Sequence, residues 1–163
     1  MAEIKELKSV CDTVSRALKS MSSEELIVSR LDFGENTEGY RWELYRGTVP
    51  FWVDLMRFNG QLDLLVAYSI MFRIPESFDE KRERELYRFL LDLNDFSRSW
   101  DTKFFIKDRT VVLCAGRSGD EISERSAKYL VDSFSRMAQV LSMKVGEKFP
   151  GLLEFIVKEE EDK

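Results

Sequence analysis

Few residues of this 163-residue chain have the types and spacing that catalysis or cofactor binding requires. The segment Gly-Arg-Ser-Gly-Asp at residues 116–120 comes closest to a phosphate loop, but it lacks the spacing and the lysine of a P-loop. It lies between a predicted strand and a predicted helix, and a helix N-terminus can hold an anion. Arg117 and Ser118 are therefore candidate anion-binding residues, and an ordinary strand-to-helix turn is the alternative.

The remaining candidates for chemistry are carboxylates and one cysteine. Asp92 with Asp95 and Asp101 with Asp108 form acidic pairs without an accompanying His or Cys, and such pairs in a charged sequence are usually solvated. Cys114 has apolar neighbours, which indicate burial rather than a reactive thiolate. The chain contains no histidine, the commonest general base and transition-metal ligand. We therefore expect no enzymatic activity, no cofactor and no metal site.

Composition restricts the class of partner. The net charge of -5 argues against a nucleic-acid-binding protein, because such proteins need a basic surface to neutralise phosphates. No apolar run approaches the roughly 18 to 20 residues that span a bilayer, and the first 20 residues form a charged amphipathic segment rather than a signal peptide. The two cysteines are too few for a disulfide framework. These features predict a cytoplasmic protein with reduced thiols.

The balance of polar residues suggests a hot environment. Asn and Gln are scarce, whereas Glu, Lys and Arg are abundant, a bias reported for thermophile proteins. A thermophilic source is therefore a hypothesis, which a melting temperature in the mesophile range would contradict.

The first half of the chain changes from helical to extended periodicity. Apolar residues recur at steps of three and four over residues 3–21, which predicts an amphipathic N-terminal helix. Residues 22–28 fit either a short helix or a strand. Three extended segments follow at residues 40–46, 49–58 and 62–73, and the Asn59-Gly60 pair between the last two predicts a tight hairpin.

The second half repeats the alternation. Ser77 and Glu80 fit a capping box that opens a helix running to about Arg98. Two short strands are predicted at residues 103–107 and 110–115, and a long helix follows from about Asp120 to Met143 with Gly146 ending it. A short last helix after Pro150 precedes an acidic tail at residues 157–163. No linker divides the chain, so one domain is expected over residues 1–163.

Both faces of the predicted sheet carry apolar side chains. Trp52, Met56 and Phe58 point away from the core side of their strand, and Leu65 and Met71 of the next strand are expected to share that second face. The first and last helices could cover this face. Otherwise it is a hydrophobic interface with these five residues as the partner-binding set. The core face of the third extended segment is predicted to consist of Leu62, Leu64, Val66, Tyr68, Ile70 and Phe72.

Several segments together resemble the YbjN family, which shares the architecture of type III secretion chaperones. The closest local match is Leu-Leu-Val-Ala-Tyr at residues 64–68, Arg-Ile-Pro at 73–75 and Lys-Arg-Glu-Arg-Glu-Leu at 81–86. Leu-Asp-Leu-Asn at residues 91–94, the paired strands around Phe104 and Val111, and Ser123-Glu124 are similar too. The resemblance covers about residues 22–145.

The resemblance implies an α+β fold of the type III secretion chaperone-like kind, in the order α-β-β-β-α-β-β-α, with an antiparallel sheet packed on helices. It also implies a small acidic homodimer that binds other proteins, with dimerisation through one of the longer helices. Members of the YbjN group are described as sensory-transduction regulators, and no catalytic residue set accompanies that description.

We therefore expect a non-enzymatic protein-binding module, a chaperone-like or regulatory adaptor that engages an extended segment of a partner protein. The alternative is a small-molecule or anion-binding sensory regulator. Its polar contacts would come from Arg117, Arg73 or Tyr68.

Overall fold

Helices and strands alternate along the chain much as the sequence predicts. The structure is a computed structural model that describes residues 6–22, 25–32, 34, 37–95, 101–118 and 122–155. Within these residues the elements are α1 (Leu7–Lys19), β1 (Val28–Asp32), β2 (Thr37–Arg46), β3 (Val49–Phe58), β4 (Leu62–Arg73), α2 (Glu80–Asn94), β5 (Thr102–Lys107), β6 (Thr110–Ser118), α3 (Glu124–Lys148) and a 3₁₀ turn (Leu152–Phe155).

The strands form an antiparallel sheet in the order β1-β2-β3-β4-β6-β5. The hairpin predicted between β3 and β4 is confirmed, because Asn59 and Gly60 both have positive φ, 50° and 67°. Asp108 and Arg109 join β5 to β6 with φ of 48° and 64°. Residues 22 and 25–27 form neither the predicted short helix nor a strand, and residues 23–24 lie outside the described residues. Strand β1 begins at Val28 and adds one strand to the predicted order. The fold class is α+β.

Helix α1 packs the stripe predicted from its periodicity against α3 and meets the sheet at Trp42 of β2. Leu7, Val14 and Leu18 are buried, and Nε1 of Trp42 in β2 donates a hydrogen bond to Oγ of Ser15 at 3.1 Å. The helix ends at Lys19, two residues before the predicted end. The predicted first residues, 3–5, lie outside the described residues.

The start of α2 is set by Asp79, so the predicted capping box at Ser77 is wrong. The Asp79 carboxylate accepts the backbone N–H of Arg82 at 2.8 Å. A carboxylate at this position also complements the positive end of the helix dipole, which makes it a better cap than a hydroxyl two residues earlier. The predicted last turn, residues 96–98, lies outside the described residues.

Helix α3 begins later and ends later than the sequence predicts. Ser123 caps it by accepting the N–H of Ser126 at 3.1 Å, so α3 starts at Glu124. The predicted start at Asp120 lies outside the described residues. Gly146 does not end the helix. The last turn continues to Lys148 because Val145 and Phe149 still bury apolar surface.

The orientation predicted for β4 is wrong. Leu65, Ala67, Ser69 and Met71 are the buried residues on the helix side, with exposed fractions of 4% or less. Small side chains at Ala67 and Ser69 leave room for α3 to approach the sheet, so the helix side does not take the bulkier set. The register shifts between Ile70 and Phe72, and this bulge turns Phe72 into the core. The residues that face away are Leu62, Leu64, Val66, Tyr68 and Ile70.

The described helices pack on one face of the sheet. The core cluster joins the buried residues of α1, α2 and α3 to alternate residues of β2, β3, β4, β5 and β6. Phe51 of β3 meets Phe134 of α3 with ring centroids 5.8 Å apart. Trp52, Met56, Phe58 and their neighbours on the other face are absent from this cluster. The possibility that the first and last helices cover the second face is therefore wrong.

Candidate functional site

The site with the most functional promise is the face of the sheet opposite the helices, which we call the open face. Its side chains come from β2, β3, β4, β6 and β5, and the strand registers bring them together. Trp52 lies opposite Tyr68, Ile70 opposite Val112, and Val112 opposite Phe105. Its apolar members are Trp52, Met56, Phe58, Leu62, Leu64, Val66, Tyr68, Ile70, Phe105, Val112 and Cys114.

The open face is half-buried by contacts among its own side chains. Leu62 and Phe105 at its margins remain 50% and 45% exposed, whereas Trp52, Met56 and Tyr68 are intermediate. At roughly 150–250 Å² for each large side chain, the exposed fractions add up to on the order of 400 Å² of apolar surface. Patches of this size on a monomer are often functional, because water contact with them is costly.

The centre of the open face is a neutralised polar cluster. Arg41 donates from Nε and Nη2 to the two carboxylate oxygens of Asp54, each at 2.8 Å, and Asp54 is only 4% exposed. The Arg41 guanidinium lies 5.7 Å from the ring centroid of Tyr68, and Trp52 stacks on that ring at 5.7 Å. A buried carboxylate in a two-point pair with arginine is held in one orientation. The cluster therefore supplies rigidity at the centre of the open face.

Two groups of this cluster, Tyr68 and Arg41, have a raised pKa. Burial, together with the nearby negative charge of Asp54, raises the pKa of Tyr68 to about 12. The hydrogen bonds to Asp54 raise the pKa of Arg41 still further above its usual range. Tyr68 is therefore a neutral hydroxyl at physiological pH, suited to contact an apolar partner through its ring.

The structure brings together three of the five predicted partner-binding residues. Trp52, Met56 and Phe58 lie on the open face, as expected. Leu65 and Met71 do not join them, because both are buried against the helices with exposed fractions of 1% and 4%. The expectation that all five share one face is wrong.

The predicted anion-binding residues are adjacent in β6 and so project to opposite faces of the sheet. The Arg117 guanidinium lies 5.1 Å over the ring of Tyr129 and 3.8 Å from an oxygen of Asp101. Ser118 is exposed on the other side. Residues 119–121 lie outside the described residues. Anion binding by Arg117 and Ser118 stays a prediction.

The other chemical candidates are separated in the structure. Burial raises the pKa of Cys114, and the same cause raises that of Cys11, so neither thiol is activated as a nucleophile. Within the part of the chain that the structure describes, no group of three or more His, Cys, Asp or Glu side chains could hold a metal ion. Tyr68 and Arg117, proposed as contacts for a sensed ligand, lie on opposite faces.

Sequence reasoning missed the polar centre of the open face. Arg41 and Asp54 are directly opposite in the β2–β3 register and lie on the same face as Trp52. The available signal was an Asp between the apolar residues Val53 and Leu55, since a charge in such a position requires a partner if it is buried. Counting back across the Gly47-Thr48 hairpin would have identified Arg41 as that partner.

Within the described residues the protein is therefore an α+β structure with helices on one face of its sheet and an aromatic, apolar surface on the other. The chain belongs to the YbjN family, described as "Putative bacterial sensory transduction regulator", whose sequence model matches residues 11–142. The predicted family is confirmed, and the match reaches into α1, beyond the predicted start at residue 22. No curated protein matches the chain.

Among the residues that the structure describes, none of the helices is both long enough and apolar enough to cross a membrane.

Proposed function

We propose that this protein is a non-enzymatic regulatory adaptor that acts as a cytoplasmic homodimer and binds an extended apolar segment of a partner protein on its open face. The observation that carries the proposal is the open face itself, an apolar surface of on the order of 400 Å² that no described helix covers. Aromatic side chains and Met suit this role, because they bury much area with few polar requirements.

Charge and family both favour a protein partner. The chain carries a net charge of -5, which opposes binding to nucleic acid. The family description names a regulator rather than an enzyme. The proposal also assigns the chain, as one domain, to the type III secretion chaperone-like architecture, in which a sheet and helices present surfaces to other proteins.

The experiment that tests the proposal removes apolar surface from the open face without touching the core. We expect the double variant Trp52→Ser, Met56→Ser to lose most of its capture of a specific partner from lysate of the source cells. Loss of two central anchors weakens a typical interface by about 2 kcal/mol or more, roughly thirtyfold. Quantitative mass spectrometry of the captured proteins is the measurement.

The matched control variant is Leu91→Ser, Met143→Ser. These two side chains are 66% and 62% exposed, but they lie on α2 and α3, away from the open face. Equal partner loss in both double variants, or full retention in the open-face variant, would contradict the proposal. Circular dichroism of each variant separates lost binding from lost folding.

A ligand sensor is the second candidate function, and one observation favours it. A cavity of about 540 Å³ lies where the end of α1, β2 and α3 meet, within the volume range of small-molecule sites. Met21, Leu26, Phe51 and Val131 supply apolar lining, and Arg46, Glu25 and Glu43 supply charge of both signs. Thermal shift against a panel of small metabolites tests it, since a ligand of the native state raises the melting temperature. The absence of any shift would count against a sensor.

A further inference from the structure

The two outer strands of the sheet are protected to different extents. At the β5 edge the side chain of Asn94 takes the place of a neighbouring strand. Its Nδ2 donates to the carbonyl of Phe104 at 3.1 Å, and its Oδ1 accepts the N–H of Phe104 at 2.6 Å. Both backbone groups of a central β5 residue are therefore satisfied from within the chain, which opposes pairing with another strand there.

The β1 edge lacks an equivalent cover within the described residues. Strand β1 pairs with β2 on one side, and four of its five residues are exposed. Val28 is 42% exposed and the Arg30 side chain 76%. In an antiparallel sheet, alternate residues of an outer strand direct their N–H and C=O groups outward, so this edge offers a template for another strand.

The charges of β1 select the strand that fits best. Arg30 and Asp32 lie two residues apart, so their side chains share one face of the strand. A second β1 strand, antiparallel and centred on Leu31, places Arg30 of each copy directly opposite Asp32 of the other. Opposite charges at such positions stabilise a pair of strands, and like charges destabilise it. A pairing of the two β1 strands centred on Arg30 would instead place the Arg30 side chains of the two copies directly opposite each other.

The existing contacts of the two charged residues leave this pairing accessible. Arg30 lies 3.7 Å from Glu38, an exposed pair of the kind that contributes little to stability. Oδ1 of Asp32 accepts the N–H of Gly34 at 3.0 Å, which orients its carboxylate. Oδ2 of Asp32 is the oxygen that would accept from the guanidinium of the second copy.

We propose that the homodimer forms by antiparallel pairing of β1 with β1 of a second copy, centred on Leu31. This inference rests on the proposed homodimer and specifies its interface. A two-fold axis through Leu31, perpendicular to the sheet, joins the two sheets edge to edge. The helices of both copies then lie on one side and both open faces on the other, so dimerisation extends the partner-binding surface instead of covering it.

The test is a charge swap measured by sedimentation velocity over a series of concentrations up to about 200 μM, because a five-residue edge gives a small interface. Arg30→Asp places two acids opposite each other twice per dimer, and Asp32→Arg places two bases. We expect each single variant to weaken dimerisation at least about tenfold. The double variant Arg30→Asp, Asp32→Arg restores complementarity and is expected to dimerise as the wild type does.

Arg84→Asp is the matched control. It makes the same change of charge at an exposed position of α2, where Arg84 pairs with Glu80 at 2.7 Å. A dimer that resists both single substitutions, or a double variant that stays monomeric, would overturn the β1 interface. A dimer disrupted by Arg84→Asp alone would place the interface on a helix instead.

Failure of this inference can be distinguished from failure of the proposed function. Arg30 and Asp32 lie outside the open face. Partner capture by the single variants therefore tests the adaptor role whether or not these variants dimerise. A wild-type protein that stays monomeric at about 200 μM overturns the homodimer and its interface together, while capture through Trp52 and Met56 would leave the adaptor role standing.

Discussion

Tyr68 lies at the centre of the open face and contacts the buried ion pair of Arg41 and Asp54. Its ring stacks on the indole of Trp52 and lies 5.7 Å from the guanidinium of Arg41, which pairs with the buried Asp54. Aromatic stacking and a cation over a ring each contribute about 0.5–1.5 kcal/mol, so the cluster holds the centre of the face rigid. A rigid surface loses little side-chain entropy when a partner binds.

The raised pKa of Tyr68 predicts a change of stability at high pH. The folded state holds the phenolic proton up to about pH 12, whereas the unfolded chain releases it near pH 10. The folded state therefore binds more protons over this interval, and stability falls as pH rises through it. We expect a loss of about 1 kcal/mol specific to Tyr68, since partial exposure reduces the full linkage value.

The measurement is the free energy of unfolding by urea at pH 9.5 to 11.5, for the wild type and for Tyr68→Phe. The variant keeps the ring and lacks the ionisable group, so its stability should fall less steeply over this interval than that of the wild type. Tyr87 and the two thiols also have a raised pKa, but they contribute equally to both proteins. Parallel pH profiles would contradict the account of Tyr68.

Strand β4 shows where sequence reasoning about elements succeeds and where it fails. Its bounds were predicted correctly, because Asn59-Gly60 fixes the start and Pro75 follows the end. The prediction of which residues of β4 face the helices was wrong, because both alternating sets are largely apolar and periodicity alone cannot choose between them. The packing of α3 decides, since the sheet accepts a close helix only over small side chains such as Ala67.

The orientation of β4 predicts opposite responses at neighbouring positions. Ala67→Leu adds volume between the sheet and the helices and should destabilise the protein by about 1–3 kcal/mol. Val66→Leu adds one methylene on the open face, where it should change stability by no more than about 0.5 kcal/mol. Urea unfolding of both variants checks this. A larger cost for the open-face substitution would reverse the assignment of faces.

The cap on the β5 edge makes a second prediction at the scale of elements. Asn94→Ala leaves the N–H and C=O of Phe104 without their partner and should cost about 1–2 kcal/mol. It also exposes a strand edge beside Phe105 and Ile106, which are 45% and 41% exposed, so aggregation should increase. Asp92→Ala, an exposed change on the same helix, is the control. Equal stability and solubility of the two variants would contradict the capping role.

At the scale of the whole molecule, the helix layer and the outer face of the sheet have different roles. Helices α1, α2 and α3 bury one face of the sheet and supply stability, while the opposite face is available for contact. The sequence predicted two apolar faces from strand periodicity, and the segments that resemble the YbjN family predicted the family that the match over residues 11–142 shows. It could not predict which face the helices take, since that depends on long-range packing of residues such as Phe134 against Phe51.

The central claim is that the open face contacts a partner protein. Site-specific photo-crosslinking in the source cells tests it most directly, with p-benzoylphenylalanine in place of Met56 on the open face or, as a control, in place of Met143 on α3. The account predicts one or a few discrete adducts from position 56 and none of the same mass from position 143. Adducts from position 143 alone, or none from position 56, would contradict it.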